Sequence, residues 1–529
     1  MNETSDKQNI SAGQYSNAPN KKTVFQGVLY TFHGGVHPEE HKSASSGRPI
    51  MPVFIPTKLI VSVQQHIGEA GRPCVAVGDH VDTGQIIAQA DGYMSVAAHA
   101  PTSGTVSAIA PHAVPHPSGL PGLCIHIQPD GKNTWVPRTP TDYLNEHPST
   151  LRNLLRDMGI AGLGGAVFPT FIKLNPGKIK RVPTLLLNGG ECEPWITCDD
   201  AIMRERAEGI LQGAAVMRYL LQSDRVLVGI EDNKPEAIAA MSAATKQVDF
   251  PVEIVSIPTL YPSGGAKQMI KIITGKEVPS GGRSTDVGVA TFNVGTALAV
   301  HRAINHGEPL ISRVITVTGN VGLPHNREVL IGTPINELLA LAGTHPEPVT
   351  GSLMGGPMMG FELADMAAPV VKATNCILVK SARLFPAPPP ARECIRCTRC
   401  ADACPADLQP QELYWFSKSK HFDKAQQYSL FDCIECGCCS YVCPSHIPLV
   451  NYYRFAKSEI STLKSAERAA NLARERFESR TARLERDQRE RAERLAQKSA
   501  IKPTPDADAA ATIQAALART QAQADEPKV

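Results

Sequence analysis

The sequence predicts a multidomain protein that combines α/β and α+β parts, and three observations support this fold class. The chain has 529 residues, enough for roughly three or four domains of ordinary size. Helical and strand-like segments alternate from about residue 141 to 310, as in α/β layers with a largely parallel sheet. Nine of the 14 cysteines fall between Cys394 and Cys443, which predicts a separate ligand-binding region near the C-terminus.

The composition is that of a packed, nearly neutral protein. Lys and Arg together number 53 and Asp and Glu 51, so no excess of positive charge suggests nucleic acid as a partner. The start, MNETSDKQNISAG, does not resemble a signal peptide, and no apolar run reaches the roughly 18 residues of a transmembrane helix. We therefore expect a protein that is soluble or held at a membrane through a partner.

The first 22 residues are polar and predicted to be disordered, and short strand-like runs follow from about residue 50 to 130. The segment GDHVDTGQIIAQADGYMSVAAHAPTSGTV looks like a biotinyl or lipoyl carrier domain. Such a carrier needs a lysine on an exposed hairpin tip, but the chain has none between Lys58 and Lys132. The β segment is therefore expected to serve a structural or docking role.

The α/β region contains a glycine-rich run, GIAGLGGAVFPT, at residues 159–170. Glycines let a backbone approach phosphates closely, because they carry no Cβ. The run is not a dinucleotide fingerprint, since Val167 stands where the third glycine belongs, and it lacks the Gly-Lys-Ser/Thr end of a Walker A loop. It either binds a nucleotide or flavin, or it is a helix–strand connection whose glycines only permit close packing.

The remaining regions are a small α+β unit, a linker and a charged tail. RVITVTGNV and TPINELLALAG read as strand and helix, and FPAPPPA (385–391) as a stiff proline-rich linker. From Ser458 to Lys498 the chain is rich in Glu, Arg and Ala, with pairs such as Glu490/Arg494 at i,i+4 spacing. A solvated helix is favoured there over a coiled coil or a partner-binding arm, and the last 30 residues are predicted to be disordered.

Two cysteine runs, ECIRCTRCADACP and DCIECGCCSYVCP, share the spacing C-x2-C-x2-C-x3-C-P. This is the run of bacterial two-cluster ferredoxins, in which the fourth cysteine ligates the other [4Fe-4S] cluster. A pair of zinc sites would not need the doubled pattern with its prolines. The spacing thus assigns the cysteines to two crossed clusters. The first takes Cys394, Cys397, Cys400 and Cys443, and the second Cys404, Cys433, Cys436 and Cys439.

Other potential ligands have simpler interpretations. Cys438 could join Cys433 and Cys436 in an alternative trio, but only Cys439 repeats the register of the first motif, so Cys438 is expected to be a buried, non-ligating thiol. His33, His37 and His41 are spaced four apart, but glycines and a proline among them argue against the helix that a metal site would need. Cys192 and Cys198 are expected to be small buried residues.

Four segments resemble the NADH-binding flavoprotein subunit of respiratory complex I, in the same order along the chain. They are GLGGAVFPTFIKL (162–174), LLLNGGECEPW (185–195), YPSGGAKQ (261–268) and FNVGTALA (292–299). Together with GGVHPEEHK near the N-terminus, the two ferredoxin motifs and the charged tail, the whole arrangement is similar to the C subunit of Rnf electron transport complexes. The resemblance covers the chain from about residue 25 to 455.

The resemblance implies a domain organisation. Residues 1–22 would be disordered, 23–140 would form a barrel-sandwich hybrid-like β domain, and 141–310 a Rossmann-like, complex I flavoprotein-like α/β domain. Residues 311–365 would form a β-grasp (SLBB-like) unit, and 366–391 a connector that contains the proline-rich linker. Residues 392–457 would form a two-cluster ferredoxin-type domain, and 458–529 a charged helical and disordered tail.

The resemblance also implies an FMN site that binds NAD(H) as substrate. Gly162, Gly164 and Gly165 would admit the backbone to the flavin and the nucleotide. Phe168 would stack on the nicotinamide nucleotide, and Lys173 would reach the FMN phosphate. Further positions carried over are Asn188 on the isoalloxazine with Glu193 nearby, and Tyr261, Asn293 and Thr296 in the flavin site. No catalytic side chain is expected, because the redox chemistry belongs to the cofactors.

The chain departs from the complex I pattern at four positions. Gly190 replaces an acidic residue, Gly265 and Ala266 replace paired acids, and Phe292 replaces the first residue of an Asn-Asn pair. These departures leave open whether FMN is retained.

By resemblance, the protein is a peripheral subunit on the cytoplasmic face of the bacterial inner membrane. NADH would reduce a flavin, and two clusters would pass electrons to other subunits of a membrane complex that couples the transfer to Na⁺ or H⁺ movement; ferredoxin is a further possible partner. The alternatives are a diaphorase-type subunit of a soluble hydrogenase or dehydrogenase, and an iron–sulfur relay without a nucleotide site. The sequence does not fix the ion, the direction of electron flow or the subunits in contact with this chain.

Overall fold

The computed structural model describes residues 27–175, 177, 181–500 and 507–524. The chain divides into two compact units, Met1–Ala456 and Lys457–Val529. The first unit contains the β domain, the α/β domain, the mixed β unit and the cysteine-rich region. The second contains most of one long helix and a shorter one.

The N-terminal β domain packs two small antiparallel sheets around a shared core. Its elements are α1 (Ser43–Ser46), β1 (Leu59–Ser62), β2 (Arg72–Pro73), β3 (His80–Val81), β4 (Ile86–Gln89), β5 (Ala98–His99), β6 (Gly104–Ala113) and β7 (Pro121–Pro129). The strand orders are β1-β7-β6-β3 and β2-β4-β5. Val61, Ile87, Val106 and Ile125 from both sheets pack in one core, so the predicted barrel-sandwich fold is confirmed.

The α/β domain is built on four parallel strands in the order β10-β9-β8-β11. Its elements are α2 (Pro148–Asp157), α3 (Thr170–Lys173), β8 (Thr184–Gly189), α4 (Cys198–Glu205), α5 (Ala207–Leu221), β9 (Arg225–Glu231), α6 (Pro235–Ala244), β10 (Val252–Ile257), α7 (Ala266–Thr274), β11 (Val289–Asn293) and α8 (Val294–His306). TLLLNG and RVLVGIE are buried almost throughout, because parallel strands carry helices on both faces. The loop that follows β8 and the start of α8, which directly follows β11, lie at the carboxyl edge of the sheet, where open α/β sheets bind ligands.

A five-stranded mixed sheet follows, in the order β13-β12-β16-β14-β15. Its elements are β12 (Ser312–Gly319), β13 (His325–Leu330), α9 (Ile335–Ala340), β14 (Val349–Met354), β15 (Phe361–Glu362) and β16 (Cys376–Ser381). The segment CILVKS, which the sequence analysis placed in a connector, forms the middle strand β16. It pairs parallel with β12 and antiparallel with β14, so the sheet extends beyond residue 365.

The cysteine-rich region repeats one short helical design, and a long helix follows. The helices of the cysteine-rich region are α10 (Arg399–Asp402), α11 (Pro410–Lys418), α12 (Phe422–Gln427) and α13 (Cys438–Tyr441). They are followed by α14 (Leu449–Ala500) and α15 (Ala507–Ala524). The predicted charged helix is present as α14. Within the described residues, none of the helices has both the length and the apolar character that a membrane-spanning segment requires.

The predictions of disorder have two outcomes. Residues 1–22 lie outside the described part of the chain. The prediction for the last 30 residues is wrong for 507–524, which form α15, because ADAAATIQAALARTQAQA is rich in alanine, the strongest helix former. Residues 501–506 and 525–529 lie outside the described part of the chain.

Candidate functional site

The glycine-rich loop is held at its base and open at its tip. The Gly162 N–H donates to the carbonyl of Phe168 at 2.9 Å, and the Leu163 N–H donates to Oγ1 of Thr296 at 2.9 Å. Gly164 and Gly165 at the tip are exposed, and Gly165 has a φ of +131°, which only glycine adopts without strain. Among the described residues, the N–H groups of Gly164 and Gly165 have no protein partner. The loop therefore presents free donors to a ligand.

Asn293 joins this loop to the start of α8. Its Oδ1 accepts the N–H of Gly295 at 2.8 Å and that of Thr296 at 3.3 Å, as a helix N-cap does. Its Nδ2 donates to Asp199 at 2.6 Å. A Cβ on Gly164 would lie 2.7 Å from the Cβ of Asn293, so the loop needs glycine here to lie against the helix start. Asn293 is thus a structural residue of the site as well as a candidate ligand.

Asn188 lies beside Asn293 in the paired strands β8 and β11 and holds the next loop. Its Nδ2 donates to the Gly264 carbonyl at 2.8 Å, and its Oδ1 accepts the Gly190 N–H at 2.9 Å. A Cβ on Gly190 would approach the Gly264 Cα to 3.0 Å, and one on Gly265 would lie 2.4 Å from Oε1 of Gln268. Glycine at 190 and 265 thus fits close packing of two loops at this edge.

The ammonium group of Lys173 contacts strand β11 of the α/β domain. Its Nζ donates to the Thr291 carbonyl of β11 at 2.5 Å and lies 4.5 Å from the centre of the Phe292 ring. Burial lowers the pKa of Lys173 to about 8. Phe168 is half-buried, and its described contact is the backbone bond to Gly162. The carried-over roles of these two residues in ligand binding stay predictions.

Two other predicted flavin-site residues face the cysteine-rich region and the mixed sheet. Glu193 accepts the N–H groups of Met358 and Met359 at 2.7 and 3.0 Å, and burial raises the pKa of its carboxyl. The Tyr261 hydroxyl donates to the carbonyl of Cys436 at 2.6 Å. Glu193 and Tyr261 therefore connect the α/β domain to its neighbours.

A buried acidic cluster lies next to Asn293 and was not anticipated as a group from the sequence. Ligand atoms of Glu191, Cys198 and Asp199 lie within 4.8 Å of one another. Burial raises the pKa of both carboxyls, and Glu191 accepts the N–H groups of Asp199 and Asp200 at 2.8 and 3.3 Å. These bonds satisfy the start of α4, so the cluster has a structural explanation. The signal in the sequence was the acid-rich stretch ECEPWITCDD.

The N-terminal segment GGVHPEEHK forms hydrogen bonds with the loop that follows β8. The sequence pattern does not predict this contact. Nζ of Lys42 donates to the carbonyls of Glu191, Glu193 and Ile196 at 2.7, 2.9 and 2.6 Å, so all three of its donors are used. His33 donates from Nδ1 to the carbonyl of Cys404 at 2.8 Å. His41 stacks on Trp195 with ring centres 4.4 Å apart. His33 and His41 thus have separate partners.

The cysteine motifs form two cavities, each lined by four thiols. One cavity is lined by Cys394, Cys397, Cys400 and Cys443. The other is lined by Cys404, Cys433, Cys436 and Cys439. The structure thus brings together the same two crossed sets that the motif spacing predicted. Cys438 lines neither cavity and is fully buried in a small apolar cluster.

The backbone of the two motifs repeats at a fixed offset. Positive φ occurs at Arg396 and Glu435, and again at Thr398 and Gly437, at matching positions of the two runs. These turns aim N–H groups at sulfur, as in Arg396 N–H to Cys394 Sγ at 3.4 Å. A soft thiol set in a mostly apolar cavity, with N–H donors on the sulfurs, fits a [4Fe-4S] cluster. Burial raises the pKa of the Cys400 thiol to about 11, so ligation there releases a proton.

The two cavities differ in their surroundings. We call them the inner cavity (Cys404, Cys433, Cys436 and Cys439) and the outer cavity (Cys394, Cys397, Cys400 and Cys443). The inner cavity lies against the α/β domain. The Tyr261 hydroxyl donates to the Cys436 carbonyl, and Nε2 of Gln268 donates to the Pro405 carbonyl at 3.2 Å. Cys436 and Pro405 both line this cavity. At the outer cavity, Cys397 is exposed.

Four family models match the chain in the order of these parts. The RnfC barrel sandwich hybrid domain matches residues 30–132 and the Nuo51 FMN-binding domain residues 155–302. An SLBB domain matches 314–362 and a 4Fe-4S dicluster domain 393–447. The predicted fold class is confirmed by these matches.

Curated relatives match almost the whole chain. The C subunit of the ion-translocating oxidoreductase complex of Serratia proteamaculans (strain 568) is 49% identical over 499 residues, which are 94% of this chain and 70% of that protein. The chain belongs to the family of C subunits of ion-translocating oxidoreductase complexes. The resemblance to the Rnf family and to the complex I flavoprotein is thereby confirmed.

Another member of the same family, from Klebsiella pneumoniae (strain 342), is 49% identical over 498 residues. That alignment covers 93% of this chain but 65% of the relative, so the chain spans somewhat less than two thirds of it. Among solved structures, a chain of an NAD⁺-reducing [NiFe]-hydrogenase in the H₂-reduced state aligns with a TM-score of 0.44 and 18% identity, over 60% of this chain and 63% of that chain.

Replacing Cys404 with serine tests the crossed grouping of the thiols. Cys404 belongs to the first sequence motif but lines the inner cavity with cysteines of the second. We expect Cys404→Ser to lose the EPR signal of the inner cluster and keep that of the outer one, with iron falling from about eight to about four per chain.

The matched control is Cys438→Ala, which removes a neighbouring cysteine that lines neither cavity. It should keep both signals and the full iron content. Loss of the outer signal in Cys404→Ser, or of either signal in Cys438→Ala, would contradict the grouping.

Proposed function

We propose that this chain transfers electrons between a nicotinamide nucleotide and a protein partner, through FMN in the α/β domain and two [4Fe-4S] clusters in the cysteine-rich region. The observation that carries the proposal is the packing of a four-thiol cavity against the α/β domain through Tyr261 and Cys436. A bound flavin exchanges a hydride with the nucleotide and single electrons with the clusters. The protein's task is to hold and orient these groups.

The carboxyl edge of the parallel sheet is the proposed flavin site. Free N–H groups at the tip of the glycine loop and the N-terminus of α8 both favour an anionic group such as a phosphate. Asn188 and Asn293 lie side by side at the same edge, where Asn188 holds the loop of Gly264 and Asn293 caps α8 and bonds Asp199 of α4. With the third glycine of a dinucleotide fingerprint missing, we infer that the nucleotide binds over the flavin rather than in a fingerprint of its own.

The surroundings of the two cavities suggest the order of electron transfer. The inner cavity contacts the loop of Tyr261, which continues into the segment that Asn188 holds through Gly264. The outer cavity presents Cys397 at the surface. We infer that the inner cavity would hold the cluster that exchanges electrons with a bound flavin, and that the outer cavity would hold the cluster that exchanges them with a partner near Cys397. The same path serves either direction of flow.

We also propose that the chain is a peripheral subunit of a membrane complex and faces the cytoplasm. Its relatives are named as subunits of ion-translocating oxidoreductase complexes, and none of the described helices is suited to span a membrane. The ion and the electron acceptor, ferredoxin among the candidates, follow from the partner subunits rather than from this chain.

Cofactor analysis after anaerobic purification tests the proposed function. We expect about eight irons and eight sulfides with one FMN per chain, and bleaching of the clusters when NADH is added. Eight irons without flavin, and no response to NADH, would rule out the nucleotide-linked activity and leave a pure electron relay. Purification with soluble hydrogenase or dehydrogenase subunits, instead of membrane proteins, would favour a diaphorase.

Lys173→Ala tests the carried-over contact with the FMN phosphate. The Nζ of Lys173 has one described acceptor, the Thr291 carbonyl, so donors remain for a ligand. We expect the variant to lose about tenfold or more in FMN affinity, measured by fluorescence titration of the apoprotein, because one charge-assisted bond is removed.

Lys132→Ala, at an exposed lysine of the β domain, is the control and should bind FMN like the parent chain. If Lys173→Ala also binds FMN like the parent, Lys173 serves only to join α3 to β11.

A further inference from the structure

Two buried cations lie beneath the glycine loop without forming a salt bridge, although the Asp199 carboxyl and the Cys198 thiol face the first of them, Arg313. Arg313 of β12 is 6% exposed, and Lys372, shortly before β16, is 1% exposed. Within the described part of the chain, neither forms a salt bridge, whereas the buried Lys234 and the half-buried Arg302 do. A buried charge is costly unless it is paired, so this arrangement calls for an explanation.

Arg313 fixes the direction of one peptide group in the loop. Its guanidinium donates to the Leu163 carbonyl at 3.3 Å and to the Lys372 carbonyl. The N–H and C=O of a trans peptide point in opposite directions, so drawing the Leu163 carbonyl toward Arg313 turns the Gly164 N–H away from it. That N–H has no protein partner among the described residues and lies on the exposed side of the loop. Arg313 thus prepares one of the loop's free donors.

Lys372 anchors the beginning of the same run. Its Nζ donates to the carbonyls of Gly159 and Ala97 at 2.6 and 3.2 Å. A Cβ on Gly159 would lie 2.6 Å from the Ala97 carbonyl oxygen and 3.0 Å from Nζ, so only glycine fits between them. The titratable groups that face Lys372 are His66 and His99, and burial together with Lys372 lowers the pKa of His99 to about 3. Both imidazoles are therefore neutral near pH 7 and add no charge beside the lysine.

We propose that Arg313 and Lys372 are positioning residues that orient the glycine loop from below and supply the buried positive charge that holds the anionic flavin nucleotide above it. This rests on the proposed function, because it takes FMN as the ligand of the loop. Burial lowers the pKa of Lys372 to about 7, and an anion close by would favour the charged ammonium. A bound phosphate would complete the pair across the loop.

The two residues separate orientation from charge, which makes the proposal testable. Arg313→Lys keeps a positive charge but loses the planar fork that spans two carbonyls. Lys372→Met keeps the length of the side chain but removes the charge. Matched controls in the same part of the chain are Arg302→Lys, a half-buried arginine paired with Glu308 and Glu328, and Lys380→Met, a lysine of β16 paired with Glu362.

The experiment is FMN titration of apoprotein from the full chain, with hydrogen exchange of residues 162–168 and the midpoint potential of the bound flavin. Arg313→Lys should weaken FMN binding and speed exchange of the loop while leaving the potential near that of the parent. Lys372→Met should weaken binding on the order of tenfold, because it removes a unit charge from beneath the loop, and make the potential more negative. Both controls should match the parent in all three readouts.

The outcomes distinguish the two levels of the proposal. If the parent chain binds FMN and both variants match it in affinity, loop exchange and potential, the positioning role is wrong and the proposed function stands. If both variants lose FMN only in proportion to a fall in melting temperature, with the potential of the residual bound flavin unchanged, the residues are merely structural and the inference fails. A parent chain that does not bind FMN overturns the proposed function and this inference together.

Discussion

The contact between Tyr261 and the second cysteine motif is the constraint on which the rest of the site depends. The Tyr261 hydroxyl bonds the Cys436 carbonyl, and its backbone pairs with Val36 through bonds of 2.9 and 3.0 Å. The adjoining Gly35 donates to the Ala403 carbonyl at 3.1 Å, so one N-terminal segment links the α/β domain to the first cysteine motif, while Tyr261 links it to the second. A Cβ on Gly34 would lie 2.5 Å from the Ala403 carbonyl carbon, which leaves no slack in this contact. The position of the inner cavity relative to the α/β domain follows from these bonds.

Close backbone packing also explains the glycines at the carboxyl edge of the sheet. Gly164 lies against Asn293, and Gly190 lies against Gly264, each at a separation that a side chain would not permit. Where the complex I pattern has acids, this chain has close backbone packing. The negative charge is found deeper, in the carboxyls of Glu191 and Asp199, whose pKa values burial raises. The site therefore presents backbone donors at its surface and holds its acids within.

Patterns tied to covalent or periodic requirements could be read from the sequence. The cysteine spacing predicted which thiols share a cavity, because tight turns with positive φ leave few ways to place four sulfurs together. Alternation of apolar strands and helices predicted the parallel sheet, because buried strands must be apolar on both faces. The glycine-rich loop could also be recognised from the sequence, because the close backbone approach that glycine permits depends on the residue itself and not on distant contacts.

Contacts between distant segments could not be read in this way. Nothing local shows that Lys42 would bond three carbonyls about 150 residues away, or that Arg313 and Lys372 would lie under the glycine loop. The strand CILVKS resembled a connector because its partners in the sheet are set by the tertiary fold. The most direct measurement of the central claim, that the inner cluster exchanges electrons with the flavin, is rapid-freeze EPR of NADH-reduced Cys433→Ala and Cys397→Ala chains. We expect that Cys397→Ala keeps a cluster that NADH reduces within the first turnover, while the cluster left in Cys433→Ala responds to dithionite but only slowly to NADH. Fast reduction by NADH in Cys433→Ala and slow reduction in Cys397→Ala would contradict it.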